Sequence, residues 1–319
     1  MKKLPALLTL IFVPLYIIGA FATYVFAPEG TYTTTDTEEE AIQLVFLGDM
    51  MFDRYVRARA KEHGYVAVFG DTPTLFADSD MVVGNLEGPI TSSLSISDWK
   101  DTGPSHYTFT FATTVASSMQ AVGVNTVTLA NNHILNFGES GYVETKDWLT
   151  KHDIAYFGAP DSPYDPVRKT LGGTQVVMYA FDTWYARDIN TLIAKIEQEA
   201  EDSFVVVYAH WGDEYESDPN SGQREYAKRF VDAGVDFVVG SHPHVVQAKE
   251  KYKDVWIYYS LGNFIFDQYF SDEVSCGAVV QIDVEADGTY VPTESFISLE
   301  RNGTTKVSDC LETVPIVSG

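Results

Sequence analysis

The chain has 319 residues, of which 45% are hydrophobic and 13% aromatic, enough for one large core and too apolar for wholesale disorder. Its formal net charge of −24 argues against nucleic acid, because no basic surface remains to displace phosphate counterions, and against broad docking on anionic lipid headgroups.

In chain order, Met1-Lys2-Lys3 precede an uncharged run over 4–26, which is 23 residues long. A membrane-spanning helix needs about 20. Two lysines before the run place the N-terminus in the cytoplasm and everything after it outside. Residues 1–26 are therefore expected to be a membrane anchor, with a cleaved signal peptide ending at Ala20-Phe21-Ala22 as the alternative. Residues 27–41 are polar, rich in threonine and glutamate, and have no periodicity, as expected of a linker. A folded domain is expected over 42–300 and a tail over 301–319.

Within the domain, apolar β-branched runs predict strands over 42–47, 81–84, 126–129, 154–157, 175–180, 204–208, 237–239, 255–259 and 278–284. Amphipathic stretches between them predict helices over 54–63, 113–121, 142–152, 189–201 and 223–233. The alternation predicts an α/β fold of mostly parallel strands with helices on the sheet faces, and FVVVYA and FVVG suit strands buried on both sides. Cys276 and Cys310 either form one disulfide in an oxidising compartment or remain two buried thiols.

Six apolar runs end in polar clusters, reading FLGDMM, VGNLEGP, LANNH, YAHWGDE, GSHPH and SLGNF. Parallel strands present their carboxyl ends to one rim, where α/β sheets bind ligands. That rim collects Asp49, Glu87, Asn132, His210, His242 and His244, with Asn85, Asn131, Glu214 and Asn263 beside them. Carboxylate, imidazole and carboxamide together suit a divalent ion such as Mn, Zn or Fe. Taken singly, each has an ordinary reading: Asp49 as a turn or cap, Asn131-Asn132 as turn residues, His210 as a core histidine. His133 is a candidate general acid, and Arg54 is either an anion clamp or a cap on a sheet edge.

The segments GDMMFDR (48–54), NLEGPIT (85–91), LANNHILNFGESG (129–141), the block from HWGDEY to SHPHVVQ (210–247) and YSLGNFIFD (259–267) resemble the CapA family, associated with capsule and poly-γ-glutamate synthesis. That family's domain is similar to the calcineurin-like metallophosphoesterases, so the resemblance implies a layered sandwich after a transmembrane helix. It also implies metal ligands at Asp49, Glu87, Asn132, His210, His242 and His244, and a catalytic histidine at His133. Two positions depart from the pattern: Met51 stands where the phosphoesterases carry a histidine, and Asn136 where the capsule family usually carries an aspartate. The expected partners are the membrane, an anionic extracellular polymer or phosphate-containing substrate, and a membrane synthase complex. Metal-dependent phosphoester hydrolysis is the enzymatic alternative to polymer handling.

Overall fold

A long apolar run with few charges, such as IQLVFLGDM, is stable as a strand only where both faces are covered, and the chain covers them with helices on one side and a second sheet on the other. The computed structural model describes residues 41–97, 104–185 and 188–317. The anchor expected over 1–26 and all but the last residue of the linker lie outside the described residues. Among the described residues no helix is long and apolar enough to cross a membrane.

The elements run β1 (Ile42–Met50), α1 (Arg54–His63), β2 (Met81–Leu86), α2 (Thr114–Ala121), β3 (Thr126–Thr128), α3 (Gly138–Lys151), β4 (Ala155–Phe157), β5 (Val167–Leu171) and β6 (Thr174–Asp182). They continue with α4 (Ile189–Glu199), β7 (Phe204–His210), α5 (Ser221–Asp232), β8 (Phe237–Ser241), β9 (Lys249–Tyr252), β10 (Val255–Tyr258), β11 (Asn263–Ile265), β12 (Cys276–Val284), β13 (Tyr290–Leu299) and β14 (Thr305–Ser308).

One sheet has the order β14-β13-β12-β1-β2-β3-β4, with β11 paired to the end of β1; the other has the order β5-β6-β7-β8-β10-β9. Strands β1 to β4 are parallel, as are β6, β7, β8 and β10. The flanks are antiparallel: β12, β13 and β14 on the first sheet, β5 and β9 on the second. The fold is thus mixed, with parallel centres and antiparallel strands at every edge but that of β4.

Strand periodicity sorts the side chains into three cores. Leu44, Phe46, Met81 and Val83 from the first sheet meet Met178, Val206, Tyr208 and Val239 from the second, so the sheets pack face to face. Val45, Leu47, Val82 and Val127 point the other way, into the layer of Val56, Val115, Met119 and Leu149 from α1, α2 and α3. Val177, Val205, Val207 and Val238 point outward against Leu192, Ile196, Ala227 and Phe230 of α4 and α5. The result is a four-layer helix–sheet–sheet–helix sandwich. α5 is fixed at its start by a capping box in which Asn220 and Gln223 exchange side-chain and backbone hydrogen bonds.

The strands absent from the sequence reading are β5, β9, β11, β13 and β14. VRKTL and KEKY, at the two edges of the second sheet, carry adjacent charged residues, and YVPTESFISL carries a proline, so none of them reads as an apolar run. β14 pairs with β13, and Cys276 forms a disulfide with Cys310, their Cα atoms 6.0 Å apart; part of the stretch read as a tail is therefore tied to the sheet.

Candidate metal centre

The pairing registers bring the polar strand ends together. Asp49 lies in register with Asn85 of β2 and with Asn263 of β11. In the other sheet Asp182, His210 and Ser241 stand in register across β6, β7 and β8. The two rims meet where the His242 backbone N–H donates to Asp49 Oδ2 at 3.0 Å. The close approach of β1 to the β11 turn requires glycine at position 48, since a Cβ there would sit 2.0 Å from the Gly262 carbonyl oxygen. That same carbonyl accepts the Asp49 N–H at 3.0 Å, which sets the height of the carboxylate.

Asp49 and Glu87 are fully buried. Asn85 Nδ2 donates to Asp49 Oδ1 at 2.7 Å, and its own Oδ1 accepts from Asn131 Nδ2 at 3.0 Å. His210 Nδ1 lies 3.2 Å from Asn85 Nδ2 and 2.9 Å from Ser241 Oγ, while its Nε2 lies 3.0 Å from Asn132 Oδ1. An amide NH₂ only donates, so the consistent tautomer has Nδ1 accepting and Nε2–H donating to Asn132. His244 Nδ1 lies 3.0 Å from Asn263 Oδ1, an acceptor, so the proton sits on Nδ1 and the Nε2 lone pair faces Glu87 Oε1 at 3.7 Å. The same argument applies to His133. Its Nδ1 lies 3.1 Å from Asn136 Oδ1, an oxygen that also takes the Phe109 N–H, and its Nε2 is 3.9 Å from Glu87 Oε1.

Both carboxyl oxygens of Glu87 are buried without a hydrogen-bond partner, and so is Nδ1 of His242. A buried acceptor left unpaired is costly, and a carboxylate more so. Here two imidazole lone pairs face an orphaned carboxylate beside a second carboxylate, an arrangement that a cation would satisfy. Among the described residues, two groups have ligand atoms within 4.8 Å of one another: Asp49, Glu87 and His244, and Glu214, His242 and His244. The donor set of oxygen and imidazole nitrogen fits a divalent metal ion.

The electrostatics agree. Burial, and next the charge of Asp49, push the Glu87 carboxyl well above its ordinary range. Asp49 moves the other way: burial alone would raise it, but the hydrogen bond from His244, then the neighbouring His210 and the Asn85 amide, hold it well below. Burial and the neighbouring His242 press His210 well below the usual imidazole range. His210 is therefore neutral, and His244 and Asn85 are the dependable partners of Asp49. Burial also lowers His133 to about 4, against the opposing Asn136 hydrogen bond, and lowers His242 to about 4. Neutral imidazoles are the form that binds metal.

The backbone is strained at the same place. His242 (φ 95°) and His244 (φ 58°) occupy the left-handed region without being glycine, as does Tyr215 (φ 66°), whose N–H donates to the Pro243 carbonyl. Such conformations cost on the order of 1–3 kcal/mol each and persist where the surroundings over-determine them.

Asp49, Glu87, Asn132, His133, His210, His242 and His244 thus gather on one rim. Arg54 lies to one side, its guanidinium paired with Asp267, 2.9 Å from His106 Nε2 and packed on the rings of Phe109 and Phe266. Met51 is buried in the core next to α1, its sulfur accepting the Asp53 N–H. Sequence reasoning missed Trp184, whose ring packs 4.7 Å from His242 and 5.4 Å from His210. It also missed Asp182, which accepts the Trp184 N–H, and Ser241 as the partner of His210. The signal was present: the β6 run continues through Phe181 into Asp182, a further strand end of the same kind.

The family model for the bacterial capsule synthesis protein PGA_cap matches residues 43–268. The capsule biosynthesis protein CapA of Bacillus anthracis is 29% identical over 333 residues, covering 98% of this chain and 80% of its own length. The PGA biosynthesis protein CapA of Bacillus subtilis is 31% identical over 276 residues, covering 79% of this chain and 70% of its own. A solved structure, TT1561 of Thermus thermophilus, aligns with 79% of this chain and 98% of its own at a TM-score of 0.44 and 8% identity, too distant a likeness to bear on fold or function.

Proposed function

This chain belongs to the bacterial capsule synthesis family, and from that premise we propose that its domain is an extracytoplasmic component of capsule or poly-γ-glutamate assembly that holds an anionic substrate through a divalent-metal centre. The observation that carries the metal reading is Glu87, whose two buried oxygens have no hydrogen-bond partner and face the Nε2 atoms of His244 and His133. Asp49, Glu87, Asn132, His210, His242 and His244 would hold the ion, His210 through Nε2 in the tautomer whose Nδ1–H donates to Ser241 Oγ. When bound, it supplies positive charge that attracts a phosphoryl or carboxylate oxygen to a protein whose own net charge of −24 would repel it.

The chain's own residues do the rest. Asn85, Ser241 and Asn263 fix the ring orientations of His210 and His244, the outer-shell work on which metal affinity depends. Trp184 covers one side of His242 and His210 and limits water there. The apolar run over 4–26 supports an anchor in the membrane next to a synthase, and the Cys276–Cys310 disulfide fits an oxidising compartment.

A second reading, hydrolysis of a phosphate ester, is favoured by His133. Its Nδ1 is held by Asn136, so a neutral Nε2 faces the centre and can take up a proton from a water or substrate hydroxyl and then return it to a leaving oxygen. The test is elemental analysis of the purified protein, a generic phosphodiester assay and capsule complementation, each with His242→Ala and His133→Ala. Polymer handling predicts that His242→Ala loses metal and capsule, while His133→Ala keeps both and no phosphodiester turnover is seen. Hydrolysis predicts turnover that His133→Ala abolishes with metal content intact. Wild-type protein that binds no divalent metal overturns both.

A further inference from the structure

The loop that follows β7 is pinned beside the metal centre. The Trp211 N–H donates to the Ser241 carbonyl at 3.1 Å, and the Tyr215 N–H donates to the Pro243 carbonyl at 2.8 Å. Residues 211–215 therefore run along the turn that carries His242 and His244. Farther on, Gln247 Nε2 donates to the Glu216 carbonyl at 2.8 Å, and Gln247 is itself held by Gln223 of α5. Asn220, the cap of α5, donates to Asp213 Oδ2 at 2.7 Å. Glu214 is thus placed by backbone and neighbours fixed on both sides of it.

What Glu214 is placed against is a pair of histidines. Its carboxylate shares one 4.8 Å group of ligand atoms with His242 and His244. His242 is 5% exposed, and its Nδ1 has no hydrogen-bond partner. His244 donates its Nδ1–H to Asn263, which leaves one lone pair, on Nε2. The other group, Asp49 and Glu87, includes the same His244. Asp49 and Glu87 lie on its buried side and Glu214 on its exposed side. Met51, two residues after Asp49, spends its sulfur on the Asp53 N–H in the core, so a further donor must come from elsewhere.

Charge makes the placement costly without a ligand. Glu214 adds to the negative charge around Glu87, whose carboxyl is raised first by burial, then by Asp49 and then by Glu214. An exposed glutamate without a role is free to turn away into water, yet this one is carried toward two buried carboxylates and an unpaired imidazole nitrogen.

Resting on the metal-centre reading, we propose that Glu214 is itself a metal ligand, the solvent-side donor to an ion held on the buried side by Asp49, Glu87 and His244. Three carboxylates and one imidazole make an oxygen-rich set, of the kind that suits Mn rather than the imidazole-rich sets that suit Zn. Glu214 is also the ligand that an incoming carboxylate or phosphoryl oxygen displaces without disturbing the buried ones.

The test uses the full chain in detergent, stripped of metal. Mn is titrated in while the free ion is followed by electron paramagnetic resonance, and a parallel Co titration is read by visible absorption, which reports coordination. Glu214→Gln is expected to weaken Mn binding by about a hundredfold or more and to change the Co spectrum. Glu216→Gln removes an exposed charge from the same loop, and should weaken Mn by less than about threefold with the Co spectrum unchanged. The Glu214 side chain is exposed, so the stripped variant should melt with the wild type; if it does not, Glu214→Ala supplies the same two measurements. A loss for Glu214→Gln no larger than that for Glu216→Gln overturns the inference. So does weaker binding with an unchanged Co spectrum, which marks a charge acting at a distance. Glu87→Gln separates this inference from the reading beneath it: if Glu87→Gln loses Mn and Glu214→Gln does not, the metal centre stands and the assignment of Glu214 falls. Wild-type protein that binds neither ion overturns both.

Discussion

Replacing Glu87 by glutamine should change stability in opposite directions with and without metal. In metal-stripped protein the Glu87 carboxyl is buried, unpartnered and raised well above its ordinary range, first by burial and then by Asp49. A carboxyl whose folded-state pKa is raised contributes stability that is complete below its unfolded value, about 4.3, and is lost as pH rises through the folded value. Glutamine removes that loss but leaves its own amide short of a partner, which costs about 1–3 kcal/mol. The stripped variant should therefore match or exceed the wild type, by a margin that grows with pH. Metal reverses the comparison. Ion at about one hundred times its Kd stabilises the wild type by about 2.7 kcal/mol. For a domain of this size that is a rise of roughly 5–10 °C in Tm. The variant, short of the ligand that faces His244 and His133, should gain at most a third of that. Thermal unfolding in EDTA and in excess Mn, each at two pH values, reads all four numbers. An equal metal-induced rise in both proteins, or a stripped variant several degrees below the wild type, would refute the reasoning.

Gly48→Ala places a Cβ 2.0 Å from the Gly262 carbonyl and must part β1 from the β11 turn; denaturant unfolding should show a loss of about 3 kcal/mol or more. Removing the Cys276–Cys310 disulfide by a double serine substitution opens a loop with a sequence separation of 34. It should cost about 3–4 kcal/mol in urea unfolding, with reductant doing the same to the wild type and nothing to the variant. Asp236 is raised to about 6 by burial, against the opposing Val205 N–H hydrogen bond, so its contribution is present below about 4 and lost as pH rises through about 6. Asp236→Asn keeps an acceptor for that N–H and should be more stable than the wild type by about 1 kcal/mol at pH 8, after discounting for partial exposure, with the difference gone at pH 4.

What the sequence made legible is what one strand carries by itself. Asp49, Glu87, His210, His242 and His244 each follow an apolar run, and parallel strands put those ends on one rim whatever their order in the sheet. What it hid depends on which strands lie side by side. Asn85 stands on the rim in the sequence, but its partners appear only when β2 pairs with β1 and its amide meets both Asp49 and His210. Ser241 has no distinguishing mark until β8 pairs with β7 and its hydroxyl meets His210. β5, β9 and β13 were hidden for a different reason: adjacent charges in the first two, and a proline with polar neighbours in the third, make them poor matches to an apolar run. Backbone strain was hidden as well, because a positive φ at histidine has no compositional mark, as it would have at glycine. Yet the strained residues, the unpartnered Glu87 oxygens and the lowered imidazoles all lie on the same rim. Three destabilising features in one place are tolerable only because the cost is met elsewhere, in a sandwich whose three apolar layers are filled. A rim that is locally unfavourable and globally held is the condition for a site that gains stability when its ligand arrives.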